Sequence, residues 1–161
     1  MTNLLVPTDF TSASLKMAEN ALRSGNYEKC NVILFHAFEL SSWPMDLLFN
    51  HRDPSGELMT ESFRQACKQL KDEYGNQVNK IMVRCMTGST RVLFRNWAEA
   101  NDIDLIYCPE DYFFKPVHAR SVDPIYLFKK CSIPVVKNIH AQKQEPVFRP
   151  SYYGTVPLTA Q

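Results

Sequence analysis

The stretch Leu4-Leu5-Val6-Pro7-Thr8-Asp9-Phe10 is an apolar run that ends in a proline, a threonine and an aspartate. A continuous apolar run of this length predicts a strand that is buried on both faces of a parallel sheet. The polar residues behind it, Thr11-Ser12-Ala13-Ser14, predict a turn and the start of a helix. Ligands of parallel α/β proteins bind at the carboxyl ends of strands, so we expect Asp9 to lie beside any ligand site.

The rest of the chain repeats this alternation of strand and helix. Further strands are predicted at 31–38, 80–86, 103–108 and 133–139, and helices at 11–24, 57–74, 91–100 and 124–131. Residues 41–56 show no sustained period and are predicted to form a long loop. Five parallel strands with right-handed helical crossovers predict an α/β fold, a three-layer sandwich with helices on both faces of the sheet.

The bulk composition is that of an ordinary globular protein. The chain has 161 residues, of which 45% are hydrophobic and 22% are charged, and its formal net charge is +1. A balance this close to neutral argues against partners such as nucleic acid or an anionic membrane. No apolar run approaches the roughly 20 residues that would span a bilayer.

The cysteines and the C-terminus set the expected compartment and the domain boundary. Five cysteines, an odd number, are widely spaced without a C-x-x-C pair, which argues against a disulfide framework or a zinc site. We therefore expect free thiols in a reducing compartment, the cytoplasm.

Residues 140–161 carry three prolines and several aromatic residues, and are either an ordered arm or a disordered tail. The predicted division is one domain over 1–139 and a tail over 140–161.

Five short motifs, in order, resemble the universal stress protein family. The opening, a strand that ends in Pro-x-Asp before small hydroxyl residues, is similar to that of the family. Four later segments resemble, in order, the second strand of the family, the glycine after its third strand, its fourth strand and its fifth strand. They are Val32 to Phe38 with its His36, Thr87-Gly88, Asp104-Leu105-Ile106, and Cys131-Ser132-Ile133-Pro134-Val135-Val136. The resemblance covers about residues 2 to 139.

The resemblance implies an adenine-nucleotide-binding type of fold with strand order 3-2-1-4-5, and a homodimer joined through the last strand. It also implies the residues that would hold ATP or AMP, if a nucleotide binds. These are Pro7, Thr8, Asp9, Ala37, Ser121 and Val122. Nucleotide-binding members of the family carry Gly-x-x-Gly, nine residues, and then Gly-Ser or Gly-Thr after the fourth strand. This chain has no glycine between Gly88 and Gly154.

The missing glycines bear directly on phosphate binding. A phosphate loop needs glycine so that backbone N–H groups can approach the phosphate oxygens without an intervening Cβ. Pro109 and Pro116 remove two of those donors from the loop. Glu110 and Asp111 are expected to lie near Asp9, where a triphosphate would add further negative charge.

These arguments predict a non-catalytic, dimeric stress-response module with a degenerate nucleotide site, without cofactor or metal, and with an unidentified protein partner. One alternative is a sensor that holds ATP or AMP through Ser121, Val122 and the backbone at Thr8 and Ala37. Another is an enzyme of the wider adenine-nucleotide hydrolase class; no catalytic constellation supports it, although weak ATPase activity stays open. Asp9 could join Glu110 and Asp111 around a metal, but its position favours capping of the first helix.

Three further interpretations concern side chains and the sheet edge. His36, inside an apolar strand, is typical of a hydrogen-bonded core histidine rather than of a base. Tyr112-Phe113-Phe114 is either a partner-binding patch or a lid over the strand ends. The last strand, from Ile133 to Ile139, is apolar and contains Pro134, which favours an edge position. An unpaired apolar edge invites association, so pairing of this strand across a two-fold axis, with tail residues packed on the partner, is expected.

Overall fold

The computed structural model describes residues 1–49 and 54–137. Its strands form one parallel sheet in the order β3-β2-β1-β4-β5. They are β1 (Thr2–Pro7), β2 (Cys30–Phe38), β3 (Val78–Thr87), β4 (Leu105–Tyr107) and β5 (Val135–Val136). The five-stranded α/β fold and the strand order 3-2-1-4-5 are thereby confirmed, with β1 in the centre of the sheet.

Side chains that alternate along β1 and β2 build two cores, one on each face of the sheet. On one face, Leu4 and Val6 lie in a cluster with residues of α1 (Ser12–Ser24) and α4 (Glu61–Glu73). On the other face, Leu5 packs with residues of α5 (Arg91–Ala100) and α6 (Pro124–Phe128). Both faces of the central strands are covered, which explains their continuous apolar sequence and confirms the three-layer arrangement.

The loop predicted over 41–56 is wrong in part, because it contains α2 (Pro44–Phe49) and the start of α3 (Ser55–Leu58). Each of these helices begins at or beside a proline, which suits the first turn of a helix. The helix predicted over 57–74 is also divided between α3 and α4. The side chain of Thr60 accepts the backbone N–H of Phe63 at 3.2 Å, and this cap starts α4.

Three other elements are shorter than predicted. α6 ends at Phe128 because Lys130 adopts a left-handed backbone with φ 58°. β4 starts at Leu105 because Ile103 still bonds through its N–H to Ala98, in the last turn of α5. β5 contains only Val135 and Val136, although the carbonyl of Pro134 also accepts the N–H of Ile106 from β4 at 3.0 Å.

The two edges of the sheet are β3 and β5. The edge position of β5 agrees with the prediction made from Pro134. The end of the predicted last strand at 138–139 and the tail over 140–161 lie outside the described residues. None of the helices in the described ranges has the length and apolarity to cross a bilayer.

Candidate functional site

The carboxyl end of β1 turns sharply into α1. Pro7 and Thr8 are buried, and Phe10 takes a left-handed conformation with φ 61° that redirects the chain. A carboxylate oxygen of Asp9 accepts the backbone N–H of Thr11 at 3.1 Å and also the hydroxyl of Thr11. Thr11 is the N-cap of α1, so the Asp9 carboxylate holds the capping residue in place rather than bonding to the first turn of the helix.

A chain of hydroxyl groups fixes this turn. The Ser14 hydroxyl donates to the carbonyl of Thr11 at 2.8 Å. The Thr8 oxygen accepts the N–H of Phe10 at 3.0 Å, and its hydroxyl lies 2.8 Å from the Ser14 oxygen. Because Ser14 already uses its proton, Thr8 donates in that contact. The backbone N–H of Thr8 donates to the carbonyl of Phe35 at 2.8 Å, which ties the turn to β2.

His36 connects the turn to the segment that follows β4. Its Nδ1 lies 2.6 Å from the carbonyl oxygen of Thr8, and a carbonyl only accepts, so Nδ1 carries a proton. In the neutral ring Nε2 then accepts the hydroxyl of Ser121 at 2.9 Å. The ring is 4% exposed and lies between the rings of Phe10 and Phe38, at 5.3 and 4.6 Å. This arrangement matches the core interpretation of His36.

The segment 120–122 lies beside the end of β2. β1 pairs with β2 only as far as Pro7. Beyond that point Val122 donates its N–H to the carbonyl of Ala37 at 2.9 Å, and Glu39 donates to the carbonyl of Arg120 at 2.7 Å. Ser121 forms an antiparallel bridge with Phe38. The structure therefore brings Thr8, Ala37, Ser121 and Val122 into one hydrogen-bonded cluster.

Asp9 lies outside that cluster and lines a cleft of about 510 Å³ beside α1, here called the α1 cleft. The residues that line it with Asp9 include Lys16, Tyr107, Pro109, Asp111, Tyr112 and Phe113. Asp111 shares the cleft with Asp9, as predicted. Glu110 does not, because it lines a different cleft, and its backbone N–H bonds to the carbonyl of Lys137 beside β5.

The side chains near Asp9 in the α1 cleft differ in protonation and in exposure to solvent. Burial raises the pKa of the Tyr112 phenol, with smaller contributions from Cys108, Asp123 and Asp9, so this group stays protonated. Phe113 is 85% exposed whereas Tyr112 is half-buried, so the side chains of the aromatic triplet do not share one environment. In the described ranges no three His, Cys, Asp or Glu side chains gather closely enough to hold a metal ion.

Sequence reasoning missed the contribution of α1 to this cleft. Ala13, Lys16 and Asn20 line it from successive turns of the helix. Their spacing of three and four residues places them on one helix face, and this signal was present in the sequence. The hydrogen-bonding role of Ser14 leaves no comparable pattern, since it depends on where Thr8 lies.

The model of the universal stress protein family matches residues 1–110. The chain belongs to the universal stress protein family. The match ends at Glu110, three residues after β4, near the start of the stretch that lacks the glycines of nucleotide-binding members. No curated protein sequence is significantly similar to the chain.

Solved structures are similar to the chain at low sequence identity. The hypothetical protein PH0823 is 18% identical over 84% of this chain and 94% of its own, with a TM-score of 0.52. The universal stress protein UspA from Lactobacillus plantarum is 17% identical over 84% and 96%, with a TM-score of 0.49. A family protein from Arabidopsis thaliana, crystallised with AMP bound, is 14% identical over 85% and 90%, with a TM-score of 0.47.

Proposed function

We propose that this universal stress protein is a non-catalytic module whose nucleotide site is closed by hydrogen bonds within its own chain. One observation carries the proposal. The polar groups that a bound nucleotide would need at Thr8 and Ala37 already bond within the chain. The Thr8 carbonyl accepts from His36 at 2.6 Å, and the Ala37 carbonyl accepts the N–H of Val122 at 2.9 Å. Each of these bonds contributes about 1 kcal/mol net, and a nucleotide that displaced one of them would lose that contribution.

Ser121 is engaged in the same way. Its hydroxyl bonds to the ring of His36 at 2.9 Å, and its oxygen accepts the backbone N–H of His118 at 3.2 Å. Neither group is left facing an open phosphate site. Of the six residues expected to hold a nucleotide, only Asp9 lines the α1 cleft.

The charges of the α1 cleft also disfavour a triphosphate. Asp9 and Asp111 both line it, and its lysine, Lys16, is paired with Glu19 at 2.7 Å. Two like charges about 4 Å apart repel each other by roughly 1 to 4 kcal/mol at intermediate to high dielectric. Such repulsion would cancel the gain from a hydrogen bond to a phosphate oxygen.

Thermal unfolding with and without nucleotide tests the proposal. The full chain is heated with ATP or AMP at about 5 mM, together with Mg²⁺, and the melting temperature is expected to shift by less than about 1 °C. The AMP-bound Arabidopsis protein serves as the positive control in the same assay. A larger shift for this chain would contradict the closed site and favour an adenine-nucleotide sensor. ATP turnover that Asp9→Ala abolishes would instead favour the hydrolase alternative.

We also propose that the protein is a homodimer joined through β5. β5 lies at the edge of the sheet, and Val135 and Val136 are both half-buried in the single chain. The carbonyls of Pro134 and Val136 bond to β4, so the backbone groups of Val135 between them face the open edge. A second β5, hydrogen-bonded to the first, would satisfy those groups.

A further inference from the structure

A second cleft lies on the face of the sheet opposite the α1 cleft. It is bounded by the start of α5, the end of α6 and the ends of β4 and β5. Four cationic side chains line it, together with one carboxylate, that of Glu110. The cations are Arg91, Lys129, Lys130 and Lys137. We call this the basic cleft.

The floor of the basic cleft is apolar. It is formed by Cys108, Ile125, Phe128 and Val135. Cys108 and Phe128 are 7% and 5% exposed, so the floor is part of the core under α5 and α6. The volume is about 580 Å³, which lies within the range of small-molecule sites. The cleft therefore combines space for an apolar group with a rim of positive charge.

No rim cation forms an ion pair within the described part of the chain, so four cations beside one carboxylate leave the rim with a net positive charge. The ion pairs found there, Lys16–Glu19 and Arg23–Glu19, both involve α1. None of the four rim cations has a carboxylate within 4.0 Å among the described residues. Arg95 adds a fifth cation, in a small adjoining pocket that Arg91, Lys129 and Lys130 also line. Like charges gathered in this way repel one another, and an anion in the cleft would relieve that repulsion.

Two rim residues are held in particular conformations. Lys130 follows the C-cap of α6 with φ 58°, a left-handed conformation that glycine adopts without strain and lysine does not. The backbone conformation at this position favours glycine. The chain nevertheless has a lysine there, and its charged side chain lines the cleft. The guanidinium of Arg91 lies over the ring of Tyr126, with its carbon 5.1 Å from the ring centre.

We propose that the basic cleft binds a small amphiphilic anion, an alkyl or aryl phosphate monoester. The dianionic head group would lie among Lys129, Lys130 and Lys137, and the apolar body would cover Phe128 and Val135. A ligand that used only the cationic rim or only the apolar floor would fit the cleft less well. A free phosphate would leave the apolar floor exposed to water, and a neutral apolar ligand would leave the cations without an anion. The site does not depend on the closed nucleotide site, which is formed by other residues.

Isothermal titration calorimetry of the full chain with octyl phosphate, below its micelle concentration, tests the proposal. We expect one site per chain with a dissociation constant below about 1 mM. Octanol and inorganic phosphate, the two halves of the probe, are each expected to bind at least about tenfold more weakly. Inorganic phosphate that binds as tightly as octyl phosphate would overturn the proposal, as would the absence of measurable octyl phosphate binding.

Substitutions locate the binding. Lys130→Gly removes one cation while keeping a residue that suits the left-handed backbone, and Lys137→Gln removes another after β5. Each is expected to weaken octyl phosphate binding by about threefold to tenfold. Lys68→Gln, which removes an exposed charge from α4 on the other face of the sheet, is the matched control and should leave the affinity unchanged. Unchanged affinity in both cleft variants, or equal weakening in the control, would place the anion elsewhere.

Discussion

At the scale of single residues, Ser121 links two parts of the chain that are 85 positions apart, through its bond to His36. Ser121→Ala removes this bond and the acceptor for His118, and we expect it to lower the free energy of unfolding by about 1 to 2 kcal/mol. Urea unfolding of both proteins measures the difference. Ser132→Ala, at an exposed serine, is the control and should stay within about 0.5 kcal/mol of the parent. An equal loss in both variants would contradict the role of the link.

The adjacent lysines at the end of α6 give opposite predictions for glycine. Lys130 has φ 58°, whereas Lys129 has φ −62°. Lys130→Gly relieves the strain of the left-handed backbone. We expect it to leave the free energy of unfolding unchanged or to raise it by up to about 1 kcal/mol. Lys129→Gly only adds freedom to the unfolded chain and is expected to cost about 0.5 to 1 kcal/mol. Melting temperatures that fall equally in the two variants would contradict this assignment of backbone strain.

Two thiols should react slowly at neutral pH. Burial raises the pKa of Cys108 and of Cys67 to about 11, from an ordinary value of 9.0. Since the thiolate is the reactive form, alkylation at these sites near pH 8 should be about a hundredfold slower than for an exposed thiol. The folded state holds these protons more tightly than the unfolded state, so stability is retained below pH 9 and falls as pH rises from about 9 to 11. Mass spectrometry after timed iodoacetamide labelling checks the rates, and fast labelling of Cys108 at neutral pH would contradict its burial.

At the scale of helices and strands, two threonine caps start the helices on opposite faces of the sheet. The Thr60 hydroxyl oxygen accepts from Phe63 and that of Thr90 from Leu93, each at 3.2 Å. Thr60→Ala and Thr90→Ala should each lower the free energy of unfolding by about 1 kcal/mol. Thr87→Ala, at an exposed threonine that ends β3, is expected to cost less. Chemical denaturation ranks the three variants, and a larger loss for Thr87→Ala would be inconsistent with capping.

The elements that could be predicted from sequence are those whose pattern spans many residues. β1 and β2 are continuous apolar runs because both of their faces are covered, and α5 was predicted with its observed bounds. α2 and α3 are too short for a period to appear in the sequence, and the division at Thr60 depends on one side-chain bond. The early end of α6 depends on the left-handed backbone of Lys130. Lysine has no preference for this conformation, so the sequence could not indicate it.

The location of the candidate site could be predicted from the sequence, but the positions and hydrogen bonds of its side chains could not. Pro-Thr-Asp after an apolar run correctly located the carboxyl end of β1, since parallel strands end at one edge of the sheet. The proximity of Asp111 to Asp9 was also predicted correctly. Glu110 was placed wrongly because neighbouring side chains of an irregular segment point in different directions, and its N–H is held by the end of β5. The bond from His36 to Ser121 joins distant parts of the sequence and has no local signal.

At the scale of the whole molecule, the apolar edge at β5 predicts a dimer that does not depend on salt. Light scattering at micromolar concentration should give twice the chain mass of 18.6 kDa, about 37 kDa. Backbone pairing and apolar contact are screened little by ions, so the mass should be the same in about 0.1 M and 1 M NaCl. A monomer mass would refute pairing through β5, and a dimer that dissociates at high salt would indicate a charged interface instead.

Pro109, the second residue after β4, lines both the α1 cleft and the basic cleft. Tyr107 faces one of them and Cys108 the other, since successive residues of a strand point to opposite faces. A single rigid residue is therefore a wall common to two sites. An occupant that displaces Pro109 from one side changes the shape offered to a second occupant, and thermodynamic linkage makes that influence equal in both directions. Any shift of Pro109 would therefore alter the walls of both clefts together.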